Sequence, residues 1–252
     1  MKKWILLLML GASVHQASAQ GFKKILKSAT SKDTAAGRSA SGVLKSMTGK
    51  GSSLSQEEIA GGLREALEVG AGRAGSRLSA ADGYFKDAAL KILMPEEAKK
   101  AEQTLRRAGM GRQVDNAILS MNRAAEDAAK SAAPIFVQAI KEMTITDALG
   151  ILRGGDYAAT DFLKGKTLAA LTNAFRPSIE AALQKTDATK HWNSVFTAYN
   201  QFSREKVNTD LTAYVTERAL AGLFLQLGQE ELKIRKDPVA RSSDLLKKVF
   251  AN

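Results

Sequence analysis

The chain has 252 residues, with 37 basic against 26 acidic side chains for a net charge of +11, no cysteine and two histidines. The lack of cysteine excludes thiol nucleophiles, disulfides, iron–sulfur clusters and cysteine-bearing zinc sites, and two histidines cannot build a histidine-rich metal centre. A composition rich in Ala, Leu, Lys, Glu and Arg, with only four prolines, favours helices, and roughly 200 ordered residues are enough for one well-buried core.

The opening "MKKWILLLMLGASVHQASAQ" has the pattern of a secretory signal peptide. Lys2 and Lys3 form the positive region, residues 4–12 the apolar run, and Ala17-Ser18-Ala19 a small-residue cleavage site. The apolar run is about half the ~20 residues that a membrane span needs. Cleavage after Ala19 is expected, with no cysteine there to carry the lipid of a bacterial lipoprotein. The product expected is an exported, soluble periplasmic protein.

Residues 20–54 read as a flexible basic linker. They carry +6 of the net charge, against +3 for residues 55–252. A domain that grips phosphates shows its own clustered basic patch, so nucleic acid is not an expected partner. Phe22, Ile25, Leu26 and Ala29 fall at helical spacing with Lys23, Lys24 and Lys27 between them. This two-turn amphipathic segment suits peripheral contact with an anionic membrane surface. It equally suits a solvated tail, since isolated helices this short are marginal.

Ser55-Gln56-Glu57-Glu58 is a capping box, and Ile59, Leu63, Ala66, Leu67, Gly70, Ala74 and Leu78 then follow one helical face. The interspersed glycines require close packing by another helix. Asp82-Gly83 predicts a turn, and "YFKDAALKILMP" a short helix followed by an extended piece, because Pro95 disfavours helix at Met94. Pro95 is placed at N1 of a helix that reaches Ala108 and stops at "GMG". The next helix, about 112–132, stripes Val114, Ile118, Met121, Ala125 and Ala128, and Pro134 starts or kinks another with Phe136 and Ile140. Thr144 and Thr146 are alternative caps for "DALGILR".

In "ILRGGDYAAT" (151–160), Gly154 is expected in the left-handed conformation past a helix end, and Asp156 as the N-cap of a helix reaching about Lys185. Capping gives no reason for Arg153. Asp187 is a candidate cap for "ATKHWNSVFTAYNQF", and Thr209 or Asp210 for the last long helix. Within that helix "ALAGLFLQLG" is apolar nearly all round, as a central buried helix is. Pro238 ends it, and Ser243-Asp244 opens a short terminal helix. No segment alternates with period two. The expected fold is all-α, a single compact domain of roughly eight to ten helices over residues 55–252.

Recognisable catalytic constellations are missing. His15 falls in the predicted leader, leaving His191, which has no serine turn beside it and reads as a packing or surface residue. "GAGRAG" (70–75) matches a phosphate-loop spelling but lies inside a helical pattern with no preceding strand. Glu57, Glu58, Glu126 and Glu180 are available as acids, without the Glu-Ser and groove motifs of wall-cleaving transglycosylases. No cofactor or metal is expected.

One polar cluster stands amid apolar runs. Asn122, Arg123 and Glu126 accompany Met121 and Ala125, and Arg123 with Glu126 is an i,i+3 pair. Together with Arg153 and Asp156 they are candidates to line a cleft for a small anionic or peptide ligand. A structural network that locks helix corners is the competing reading.

The blocks "SMNRAAE", "PIFVQAIKEMTITDALGILRGGDYAAT", "FRPSIEAAL" and "LFLQLGQEELKIRKDPVARSSDLLKKVF" resemble the family termed domain of unknown function 4197, over about residues 55–250. The resemblance implies an exported protein of Gram-negative bacteria with one helical envelope domain. It implies no reaction and carries over no catalytic residue. The expected function is a non-enzymatic binding module for an envelope protein or component. The alternatives are a small-ligand receptor and a hydrolase of envelope polymers.

Overall fold

The computed structural model describes residues 54–186, 192–193, 196–197, 200–201, 206, 210–241 and 243–250. The chain divides into Met1–Ser53 and Leu54–Asn252, and all the described residues belong to the second unit. The leader, the basic linker with Phe22 to Lys27, the Asp187 cap and His191 lie outside them.

Among the described residues there is no strand, and the all-α class holds. Seven helices have nine residues or more: α1 (Gln56–Ser79), α2 (Lys99–Arg107), α3 (Gly111–Ala128), α4 (Ala132–Lys141), α5 (Ile145–Arg153), α6 (Ala158–Gln184) and α7 (Leu211–Lys236). A six-residue helix, α8 (Asp244–Val249), follows. The expectation was eight to ten helices, and the seven longer helices among the described residues are somewhat fewer. No described helix is long and apolar enough to cross a membrane.

Helix starts follow local chemistry. Ser55 and Glu58 form the expected capping box, each side chain bonded to the other's backbone amide. Thr144, not Thr146, caps α5, and Asp147 completes a second box. The Asp210 carboxylate accepts from the amide of Ala213 and opens α7. Pro95 does not begin α2 directly. It precedes a 3-10 turn, Glu96–Ala98, that leads into it. The α2–α3 reversal uses Gly109 at φ +82°, which an L side chain rarely adopts.

Helix α6 packs on α3 and α7, and α1 packs on α7, α4 and α5. The core runs through Leu63, Leu78, Phe136, Leu163, Leu171, Phe175, Ile179, Val215 and Leu223, all close to fully buried. The "ALAGLFLQLG" stretch is buried as expected except for Ala221 and Leu225, the latter 46% exposed. The glycines allow close contact. A Cβ on Gly62 would sit 2.9 Å from Val249 Cγ2 of α8, and one on Gly222 would sit 2.8 Å from Tyr84 Cε1.

Residues 80–95 are turns and extended chain, without the short helix expected at "YFKDAALKIL". Tertiary partners hold this segment in place of its own ladder. Asp82 takes the left-handed conformation at φ +69°, which Asp tolerates better than most residues.

Candidate functional site

Asn122, Arg123 and Glu126 come together, as their spacing on α3 requires, and they face residues 82–92. Asn122 is fully buried. Its Oδ1 accepts from the Ile92 amide at 2.9 Å, and its Nδ2 donates to the carbonyls of Ile92 and Ile118, both at 2.8 Å. Glu126, also buried, accepts through Oε1 from the amides of Tyr84 (3.1 Å) and Phe85 (3.2 Å). Its Oε2 takes a 2.6 Å bond from Arg123, whose other terminal nitrogen reaches Asp82 Oδ1 at 2.7 Å.

The Lys86 ammonium and then the Arg123 guanidinium hold the Asp82 carboxyl below its usual range. Burial, reinforced by the charge of Glu126, pushes the Tyr84 hydroxyl far up. That hydroxyl donates to the Ala219 carbonyl at 2.8 Å. The cluster is therefore a clamp. Buried amides that lack helix partners need others, and α3 supplies them to the irregular 82–92 segment.

Arg153 and Asp156 stand elsewhere. Tyr84 binds α7 at Ala219, whereas the 151–160 corner binds α7 at Glu231, twelve residues and about 18 Å further along the helix. Both residues are exposed. Asp156 pairs with Lys236, and Arg153 has no hydrogen-bond or ion-pair partner among the described residues. The five candidates thus occupy two stations.

Two expectations for this corner need correction. Gly154 is extended, at φ −75°, and not left-handed. It is required because a Cβ there would lie 2.5 Å from the Ala158 Cβ. Asp156 does not cap α6, because the position before the helix is Tyr157, which makes no side-chain cap bond. The cap comes from α7. Buried Glu231 accepts from the amides of Ala159 (3.0 Å) and Thr160 (2.9 Å) and from the Thr160 hydroxyl (2.8 Å). One turn on, Arg235 pairs with Glu231 at 2.8 Å and donates to the Ile151 carbonyl at 2.9 Å. A carboxylate thus meets the positive end of α6 and a guanidinium the negative end of α5, as the helix dipoles favour.

A sizeable concave feature lies away from the five candidate residues. A groove of about 570 Å³ is lined by residues of α2, of α3 and of the start of α7, together with Trp192 and Phe196. Ala98 of the 3-10 turn and Leu105 of α2 line it, as do Val114, Ala117 and Met121 of α3. Trp192, Phe196 and Leu211 stand opposite, with Met94 and Met110 also in the lining. Trp192 and Phe196 stack with ring centroids 4.3 Å apart.

Helix α2 is amphipathic, yet none of its nine residues is buried. Its apolar residues, Ala101 and Leu105, are only partly buried; both pack against the core, and Leu105 also lines the groove. Arg106 ties it to α3 through Asp115 at 2.8 Å, with Glu102 at 2.9 Å on the same helix, and both ion pairs raise the guanidinium's affinity for its proton. None of the five candidate residues lines the groove. Ala101 and Leu105 at i,i+4 were a legible sign of α2's apolar edge, but what faced it was not. Among the described residues no three His, Asp or Glu side chains are grouped as a metal would need.

The class defined by this architecture is an all-α domain cross-clamped by buried carboxylates, with a sizeable apolar groove among its described residues. The family model for "Protein of unknown function (DUF4197)" matches residues 53–251, and the chain belongs to that family. No curated protein and no solved structure matches the chain.

Proposed function

We propose that this protein is exported to the periplasm of a Gram-negative bacterium and acts there as a non-enzymatic binding module. We place its binding site at the apolar groove between α2 and α3. One observation carries the site. The groove's volume of about 570 Å³ falls in the 300–1,000 Å³ range of ligand pockets, and its lining is mostly apolar with a few polar groups. The polar cluster on α3 is less suited to binding, since Asn122 and Glu126 spend their hydrogen bonds on backbone within the chain. Export rests on the leader pattern of residues 1–19, and the family resemblance supports it.

Ala117 lines the groove and is not fully buried, so Ala117→Phe fills the groove and leaves the core intact. Immobilised wild-type protein should retain a component of the envelope fraction that the variant does not. Equal retention by both would remove the groove as the site. Amino-terminal sequencing of periplasmic protein should begin at Gln20, and a retained leader would refute export by cleavage. The basic segment with Phe22, Lys23, Lys24, Ile25, Leu26 and Lys27 is proposed as a peripheral contact with anionic membrane. Deleting residues 20–54 should abolish binding to anionic vesicles, and unchanged binding would refute that contact.

A further inference from the structure

The geometry points to a specific occupant for the groove: the hydrocarbon chain of an uncharged single-chain lipid, such as a monoacylglycerol. This rests on the groove being the binding site. Three observations select the ligand class.

The first is size. A cavity of about 150 Å³ holds a benzene ring, or about 25 Å³ per carbon. By that scale the 570 Å³ groove holds a chain of a dozen or more carbons with room left at its open side. A folded partner needs a contact of about 800 Å² per side, more than this narrow cleft offers.

The second is charge. No lysine or arginine is among the lining residues, and the one charged residue there, Glu102, is paired with Arg106 at 2.9 Å. An ionised head group would find no counter-charge in the groove. Gln113, Asn116 and Ser120 lie along one side of α3 at the lining. They offer neutral donors and acceptors suited to a hydroxyl or ester head.

The third is adaptability. Met94, Met110 and Met121 all line the groove, and methionine fits irregular apolar shapes through its flexible thioether.

Trp192 makes the test direct, because the chain has one other tryptophan, Trp4. The full chain carrying Trp4→Phe is purified after export and titrated with monoacylglycerols of eight to sixteen carbons, each below its aggregation concentration. Trp192 emission should change saturably, and affinity should rise about fourfold per added methylene until the groove is full. Ala117→Phe should weaken binding at least tenfold with an unchanged helical spectrum. Leu105→Gln, on a helix with no buried residue, should weaken it at least fivefold and serves if the first variant misfolds. The fatty-acid carboxylate of equal length should bind more weakly than the neutral ester.

An affinity that does not depend on chain length, an undiminished response in both variants, or tighter binding of the carboxylate would each overturn the assignment. If lipids fail while Ala117→Phe still abolishes retention of an envelope component, the occupant is wrong and the groove stands. If neither depends on the groove, both readings fall.

Discussion

Glu231→Ala is the sharpest test of how the 151–160 corner is held. The carboxylate's side chain is only 6% exposed, and it accepts from two amides and a hydroxyl at the start of α6 while pairing with Arg235. Removing it leaves a buried helix start uncapped, which costs about 0.5–2 kcal/mol. It also leaves Arg235, 13% exposed, without its counter-ion, and breaking a buried pair from one side costs about 3–5 kcal/mol. The two overlap, since one carboxylate serves both, so a total of about 4 kcal/mol is expected. Arg235 keeps its bond to the Ile151 carbonyl, which limits the loss. In urea the midpoint should fall with an unchanged slope. For a domain of this size Tm should drop by roughly 8–16 °C, at about 2–4 °C per kcal/mol. The exposed pair of Lys236 with Asp156 is the control, and Lys236→Ala should cost under about 1 kcal/mol. A Glu231→Ala cost as small as the control's would refute the cap from α7.

Asn122→Ala should cost about 3 kcal/mol, because the Ile92 amide and carbonyl lose a buried partner; hydrogen exchange at Ile92 should accelerate ahead of the α3 amides, and unchanged exchange would deny the clamp. Two glycines should respond oppositely. Gly72→Ala meets nothing within 4 Å and should stabilise by about 0.5–1 kcal/mol, whereas Gly222→Ala drives into the buried Tyr84 ring and should destabilise by about 1–3 kcal/mol, both read from urea midpoints. Acid should weaken the fold in part through Asp147. The Thr144 hydroxyl and then the Thr144 amide hold that carboxyl below its usual 3.8, so the folded state binds its proton less readily than the unfolded state does. Its contribution is therefore complete above pH 3.8 and is lost as pH falls through the lowered value. Asp147→Asn should flatten the midpoint-versus-pH curve in that acid window, and an unchanged curve would refute the assignment.

How much was legible in the sequence depended on the range of the forces involved. Ser55 with Glu58 announced one helix start, and the pairs Thr144 or Thr146 and Thr209 or Asp210 announced two more, because a cap bonds an amide two or three residues away and that spacing is visible in the letters. The apolar period of α1 and α3 identified their buried faces for the same reason. The all-α class and the absence of thiol and histidine-cluster chemistry also followed from composition and local pattern. The cluster of Asn122, Arg123 and Glu126 was legible as neighbours on one helix, with a structural network as one of its two readings, but the partners of that role were not. That role lies in backbone thirty to forty residues away, at Ile92, Tyr84 and Phe85.

Tertiary structure decided the corner at 151–160. Asp156 had the chemistry of a cap, and Gly154 that of a left-handed terminus. The approach of α7 gave the cap to Glu231 and the carbonyl of Ile151 to Arg235, some seventy to eighty residues downstream. A buried carboxylate held between two amides and a guanidinium outcompetes an exposed one that water already solvates. The groove was decided in the same way: its apolar lining residues read as ordinary core, and only the packing of α2 beside α3 leaves them lining a cleft. Amphipathic period fixes which face of a helix is apolar, while only packing decides whether that face meets the core or is left for a ligand.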